Sequence, residues 1–131
     1  MKRLPNSHLD LLTGQNVAIL STVSSDGYPH NTTVLYLLDN DGRIKISAPR
    51  QNAHGSTFIQ KSKGNVFILD PNNAGRYIEI HADFEVHDDP NFSFEERVGK
   101  KYGIRNVRET ESPESRRMIL VANPVQITAV G

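Results

Sequence analysis

From Arg76 to His87 apolar and polar residues alternate without a break: Ile78, Ile80, Ala82, Phe84 and Val86 share one face, and Tyr77, Glu79, His81, Asp83, Glu85 and His87 share the other. A period of two is the signature of a strand with one face buried and one face wet. The same signal recurs more weakly elsewhere. Val17 to Val23 is β-branched and runs into Ser24-Ser25-Asp26-Gly27, whose Asp-Gly pair predicts a hairpin, and the return strand spans His30 to Leu38. Asp39-Asn40-Asp41-Gly42 repeats that turn chemistry and leads into an alternating third strand, Arg43 to Ala48. Asn65 to Asp70 reads as a fourth strand, followed by the turn-rich Pro71 to Gly75, and Met118 to Val130 as a closing strand broken by Pro124.

Helical spacing is confined to short pieces. Pro5 to Leu12 suits an opening helix ended by Gly14, and Pro49 to Gly64 a loop entering a short helix stopped by Gly64. Asp88-Asp89-Pro90 starts a third helix, with Phe92, Phe94, Val98 and Tyr102 on its packing side. Glu109 to Arg116 is the most polar stretch and reads as a connection. Six strands joined mostly by hairpins, with small helices, predict a mainly β domain whose antiparallel sheet closes wholly or partly into a barrel, because closure removes exposed edges.

Composition narrows the function. At 131 residues the chain fits one domain, residues 1–131, and its 37% hydrophobic content is modest for a body that buries only about two thirds of its surface. Pairing with a second copy would relieve that shortage. Fifteen basic and fifteen acidic residues cancel, which removes the general attraction that nucleic-acid binding depends on, so no nucleic-acid partner is expected. Interleaved basic and aromatic positions of the kind that would support an oligonucleotide-binding barrel are also lacking. The absence of cysteine excludes disulfides, thiolate nucleophiles and cysteine metal sites. The start, Met1 to His8, turns polar without an apolar run, and nothing approaches the roughly 20 apolar residues of a membrane helix. The expected address is the cytoplasm, with no membrane partner.

Nucleophile elbows, phosphate-binding P-loops, zinc-protease helices and dinucleotide glycine patterns are absent. His81, Asp83, Glu85 and His87 share a strand face but spread over about 20 Å at ~3.3 Å per residue, too far for one ion, so they read as a solvated or dimer-facing strip and no metal is expected.

The segments "NVAILSTV", "SSDGYPHNTTVLYLLD", "GRIKISAPRQNAH", "VFILD", "RYIEIHADFEVHDDP" and "RRMILVANPVQITAV" occur in an order that resembles the pyridoxamine-phosphate-oxidase-like split-barrel family, in particular its branch using the deazaflavin coenzyme F420. The resemblance covers nearly the whole chain through its arrangement rather than through any single motif. It implies a six-stranded antiparallel split β-barrel, a homodimer with the cofactor in a groove between subunits, and a phosphate-binding loop after the third strand. On matching positions that loop carries Ser47, Arg50, Asn52, His54, Ser56 and Thr57. A guanidinium, hydroxyl donors and backbone N–H groups at a helix start are what a phosphate needs, although the same residue types are common in solvated loops. Thr32, Thr33 and Val34 lie in the strand that faces the tricyclic ring in relatives, together with Leu35 and Tyr36. Arg117, beside Arg116, matches a position that can reach the cofactor's acidic tail from the partner subunit.

One departure stands out: the family usually carries a lysine where this chain has His54. Histidine is only partly charged near neutrality, which implies either weaker, pH-dependent phosphate affinity or a larger share for Arg50. The resemblance implies an F420-dependent oxidoreductase passing hydride to a small unsaturated, aromatic or quinone-like molecule. FMN is the alternative cofactor, and a non-catalytic module holding a flavin, haem or another flat ligand is the rival from outside the enzymes. No dedicated acid–base catalyst stands out, as expected where the cofactor carries the hard chemistry.

Overall fold

The computed structural model describes residues 2–49, 62–104 and 116–131. Seven strands form one antiparallel sheet: β1 (Ala18–Val23), β2 (Pro29–Val34), β3 (Tyr36–Leu38), β4 (Ile44–Pro49), β5 (Ser62–Asp70), β6 (Asn73–Asp88) and β7 (Arg117–Val130). Their order across the sheet is β2-β1-β5-β6-β7-β4-β3. Among the described residues two helices accompany them, α1 (Leu9–Thr13), entered through a 3-10 turn at Asn6–His8, and α2 (Ser93–Tyr102).

The predicted strand from His30 to Leu38 divides. Its first half, β2, pairs with β1 through Ala18↔Val34 to Val23↔Pro29, and its second half, β3, pairs with β4 through Tyr36↔Ile46 to Leu38↔Ile44. Only Leu35 separates them, yet they are the two opposite edges of the sheet. Adjacent Cα atoms are about 3.8 Å apart, so the sheet has to curl until its edges meet at Leu35. The seventh strand is thus a consequence of closure, and the result is the partly closed barrel expected from the pattern, of the split type that the resemblance implies.

The hairpin turns follow their predicted chemistry. Gly27 and Gly42 adopt φ of +80° and +79°, and their N–H groups donate to Ser24 O and Asp39 O, both at 3.0 Å. That left-handed conformation is open to glycine at no steric cost. The β6 alternation also holds: Ile78, Ile80, Ala82 and Phe84 are buried, and His81, Asp83, Glu85 and His87 are exposed.

Two expectations fail for identifiable reasons. Gly64 does not stop a helix; it lies inside β5, opposite Ala82, where the ring of Phe84 and the carbonyl of Ser21 crowd the space a side chain would need. Pro124 does not break the last strand. The β6–β7 register shifts between His81 and Ala82, so that Pro124 pairs with Ala82 and Gln126 with His81. The extra residue, Val125, forms a bulge that accommodates the missing proline N–H.

The barrel interior is built from Leu20, Tyr36, Ile46, Val66, Ile68, Ile80, Met118 and Leu120, all fully buried. The amino-terminal turn is locked onto this body by His8, whose Nε2 donates to Val130 O at 2.9 Å while its Nδ1 accepts from Ser7 Oγ. Arg76 adds a second tie, bonding both carboxylate oxygens of Asp10 at 2.7 and 2.8 Å and Ser7 O at 2.9 Å. Among the described residues no helix is long and apolar enough to cross a membrane.

Candidate functional site

A cavity of about 260 Å³ opens where the two edges of the sheet converge. One wall is the end of β2, with Thr32, Thr33 and Val34, continuing into Leu35. The other is the end of β4, with Ser47, Ala48 and Pro49, and α2 closes the top with Glu95, Val98 and Gly99. Leu20 and Ile104 add apolar surface, and Arg117 reaches in from the start of β7.

Placement of the polar groups follows from a closed circuit of bonds. The Asp89 N–H donates to Arg117 O at 3.1 Å, so the entry to α2 is pinned to the entry to β7. The Asp89 carboxylate, only 3% exposed, accepts from the backbone N–H of Phe94 at 3.1 Å and of Glu95 at 3.0 Å, which caps the helix. Capping replaces the start predicted at Asp88: the helix itself begins at Ser93. The Glu95 side chain then turns back to Arg117, its Oε1 lying 3.4 Å from Nε. Arg117 Nη2 donates to Ser47 Oγ at 3.0 Å, linking helix, β7 and β4.

Behind the cavity, α2 is held to the core by aromatic and cationic contacts. Lys101 Nζ sits 3.9 Å from the centroid of the Tyr36 ring and 4.9 Å from that of Tyr102, and donates to Tyr36 O at 2.8 Å. Burial pushes the Lys101 amine down to about 8 and raises the Tyr36 and Tyr102 phenols above their ordinary value. The Tyr36 hydroxyl donates to Leu11 O at 2.6 Å. Tyr36 is therefore a core residue, and it does not face the cavity as the strand match implied.

Of the sequence-derived candidates, Thr32, Thr33, Val34, Ser47 and Arg117 come together around this one cavity. Arg117 lines the cavity of its own chain. Arg50, Asn52, His54, Ser56 and Thr57 lie outside the described residues. Sequence reading missed Glu95, Val98, Gly99 and Ile104. The only local signal for Glu95 is an acidic pair in a first helical turn, Glu95-Glu96, which is common because the helix dipole favours it.

The donor set suits a flat, mostly apolar group with a polar edge. Apolar side chains supply the walls, while hydroxyls, one guanidinium and one carboxylate converge from different elements, the usual make-up of a small-molecule site. A volume of about 260 Å³ takes a ring system rather than a whole dinucleotide-sized molecule, so an attached tail would extend beyond it. A flavin or deazaflavin ring meets that description.

Comparison with known proteins agrees with the architecture. An F420 reductase structure superposes with a TM-score of 0.81 at 21% identity, covering 95% of this chain and 98% of that one. The heme storage protein HutZ from Vibrio cholerae gives 0.71 at 11% identity, covering 99% and 96%. General Stress Protein 26 from Bacillus anthracis gives 0.64 at 19%, covering 94% of each. No curated protein matches the sequence. The pyridoxamine 5'-phosphate oxidase family model matches residues 4–131, which is nearly the full length, and the chain belongs to that family.

Proposed function

We propose that the protein is an oxidoreductase that binds F420 and transfers hydride between it and a small unsaturated, aromatic or quinone-like substrate. The observation that carries this reading is the cavity at the barrel split, where apolar walls meet the Arg117, Ser47 and Glu95 side chains at the end of β4. When bound, the reduced deazaflavin supplies the hydride. The chain's own residues bind and orient: Val34, Leu35 and Val98 exclude water from the ring, and Thr32, Thr33 and Ser47 offer hydroxyl donors. Arg50, His54, Ser56 and Thr57, next along from β4, have the chemistry for the phosphate.

FMN is the second reading, favoured by His54 in the place of the usual lysine and by the neutral overall charge, since a shorter phosphate-bearing tail needs fewer cations. A haem module gains less support, because the described lining offers no imidazole, thiol, thioether or phenol as an axial ligand.

The cofactor site is proposed to be completed by a second copy. The outer sheet face carries apolar residues that a lone barrel leaves wet, among them Ile19 at 38% and Leu69 at 41% exposure.

Titration of the apo-protein with F420 and with FMN, followed by ligand fluorescence, tests the reading. Saturable binding of F420, lost in Arg50→Ala, is the expected result. Binding of FMN alone selects the second reading, and binding of neither refutes both.

A further inference from the structure

Glu95 is the feature of the cavity that phosphate binding does not explain. It is 9% exposed, lies among the lining residues, and keeps its Oε1 3.4 Å from Arg117 Nε. A carboxylate in that position repels a phosphate and neutralises the one guanidinium in the described lining. The α2 end of the cavity is therefore the wrong place for an anionic tail.

It is the right place for a neutral edge that presents an acceptor next to a donor. Arg117 brings N–H groups and Glu95 brings carboxylate oxygens side by side, with the Ser47 hydroxyl beyond the guanidinium. Because Ser47 Oγ accepts from Arg117 Nη2, its own hydrogen remains to be donated elsewhere. A carbonyl adjoining a ring N–H, as in an imide, complements that pair. Flavin and deazaflavin rings both carry such an edge on the pyrimidine ring, with N3–H between two carbonyls.

Resting on the function proposed above, we propose that Glu95 accepts the ring N3–H of the cofactor while Arg117 donates to an adjoining carbonyl. The pair thereby sets the ring orientation. The pyrimidine edge points at α2, and the phosphate-bearing tail leaves past Pro49. Arg117 then serves the ring and not the acidic tail. The Asp89 cap fixes both groups, since it holds Glu95 through its N–H and Arg117 through its carbonyl.

The test uses whichever of F420 and FMN binds in the titration above, compared with its N3-methyl derivative on the full chain. A methyl group removes the donor and leaves ring, tail and charge unchanged. Losing a hydrogen bond to a charged acceptor weakens binding of the methylated ligand by about 10- to 100-fold in the wild type. In Glu95→Ala the two ligands are expected to bind within about threefold of each other, by the same loss of the one acceptor. Circular dichroism checks that the variant is folded; if it is not, the wild-type ratio alone decides. Equal binding of both ligands by the wild type overturns the role of Glu95 and leaves the cofactor reading standing. Failure of F420 and FMN alike removes both.

Discussion

Asp89 joins fold and site, so its removal is the most informative single change. Its carboxylate accepts from two backbone N–H groups, those of Phe94 and Glu95, at 3.1 and 3.0 Å, and both of those residues are buried. Asp89→Ala withdraws the acceptor from a position only 3% exposed. Asp89 lies upstream of the N-cap position, Phe92, but loss of side-chain capping bonds at a helix start costs about 0.5–2 kcal/mol, and a buried donor left unsatisfied costs about 1–3 kcal/mol. These overlap, because the cap is itself the satisfaction of those donors, so about 2–4 kcal/mol is the expected total. With an unfolding entropy of about 2.1 cal/mol/K per residue, a chain of this length loses roughly 7–14 °C of Tm. Urea unfolding and calorimetry measure this directly. Hydrogen exchange should place the loss in the first turn of α2, with the cavity wall at Glu95 following it. A variant melting within about 2 °C of wild type would refute the reading, since an effect that small is below one ordinary hydrogen bond. Ser93→Ala serves as the control: its hydroxyl lies 3.4 Å from the same carboxylate and should contribute little.

Three further outcomes follow from named contacts. In Gly64→Ala the new Cβ would lie 2.9 Å from Phe84 Cε2 and 3.0 Å from Ser21 O, a clash expected to cost about 1–3 kcal/mol in denaturant unfolding; a variant as stable as wild type would show that β5 relaxes freely. Acid should weaken the fold between about pH 4.5 and 2. Glu85 is held down to about 2 by bonds from Asn123, His87 and Arg43, and Asp10 to about 2 chiefly by Arg76. A lowered folded value means stability is present above the unfolded value and lost as pH falls through the folded one; urea midpoints that stay flat from pH 5 to 2.5 would count against it. Ile19→Asp should leave a folded monomer in sedimentation, and an unchanged dimer would place the interface elsewhere.

What could be read from the sequence was local. The β6 strand is legible because one buried and one wet face write their period directly into the chain, and the turns are legible because Gly27 and Gly42 occupy positions that need φ > 0. The division at Leu35 was hidden, since both halves of the segment remain strand and only their partners differ. Gly64 looked like a helix stop because glycine marks both helix ends and close strand contacts. In the site, Thr32, Thr33, Val34, Ser47 and Arg117 were found through resemblance. Glu95 was not, because nothing local distinguishes a carboxylate facing a cavity from one facing water. Only its burial beside Arg117 does so, and that depends on residues 22 positions apart folding together.

The site's position follows from the topology more than from any one side chain. Strands β2 and β3 are consecutive in the chain but opposite in the sheet, with Leu35 the only residue between them. They meet end to end at Leu35, and from there β2 stays paired with β1 and β3 with β4. At Ser47–Pro49 β4 continues beyond the reach of β3 and keeps only β7 as its ladder partner. A full ladder there would fill the cavity with hydrogen-bonded backbone. The split leaves two sheet edges facing one another, and α2 covers them without closing the mouth. Insertion of a single residue beside Leu35 would relax the constraint that brings these edges together. It should therefore reduce cofactor affinity far more than stability, because the paired registers of β1 with β2 and of β3 with β4 lie on either side of the insertion and are not altered by it.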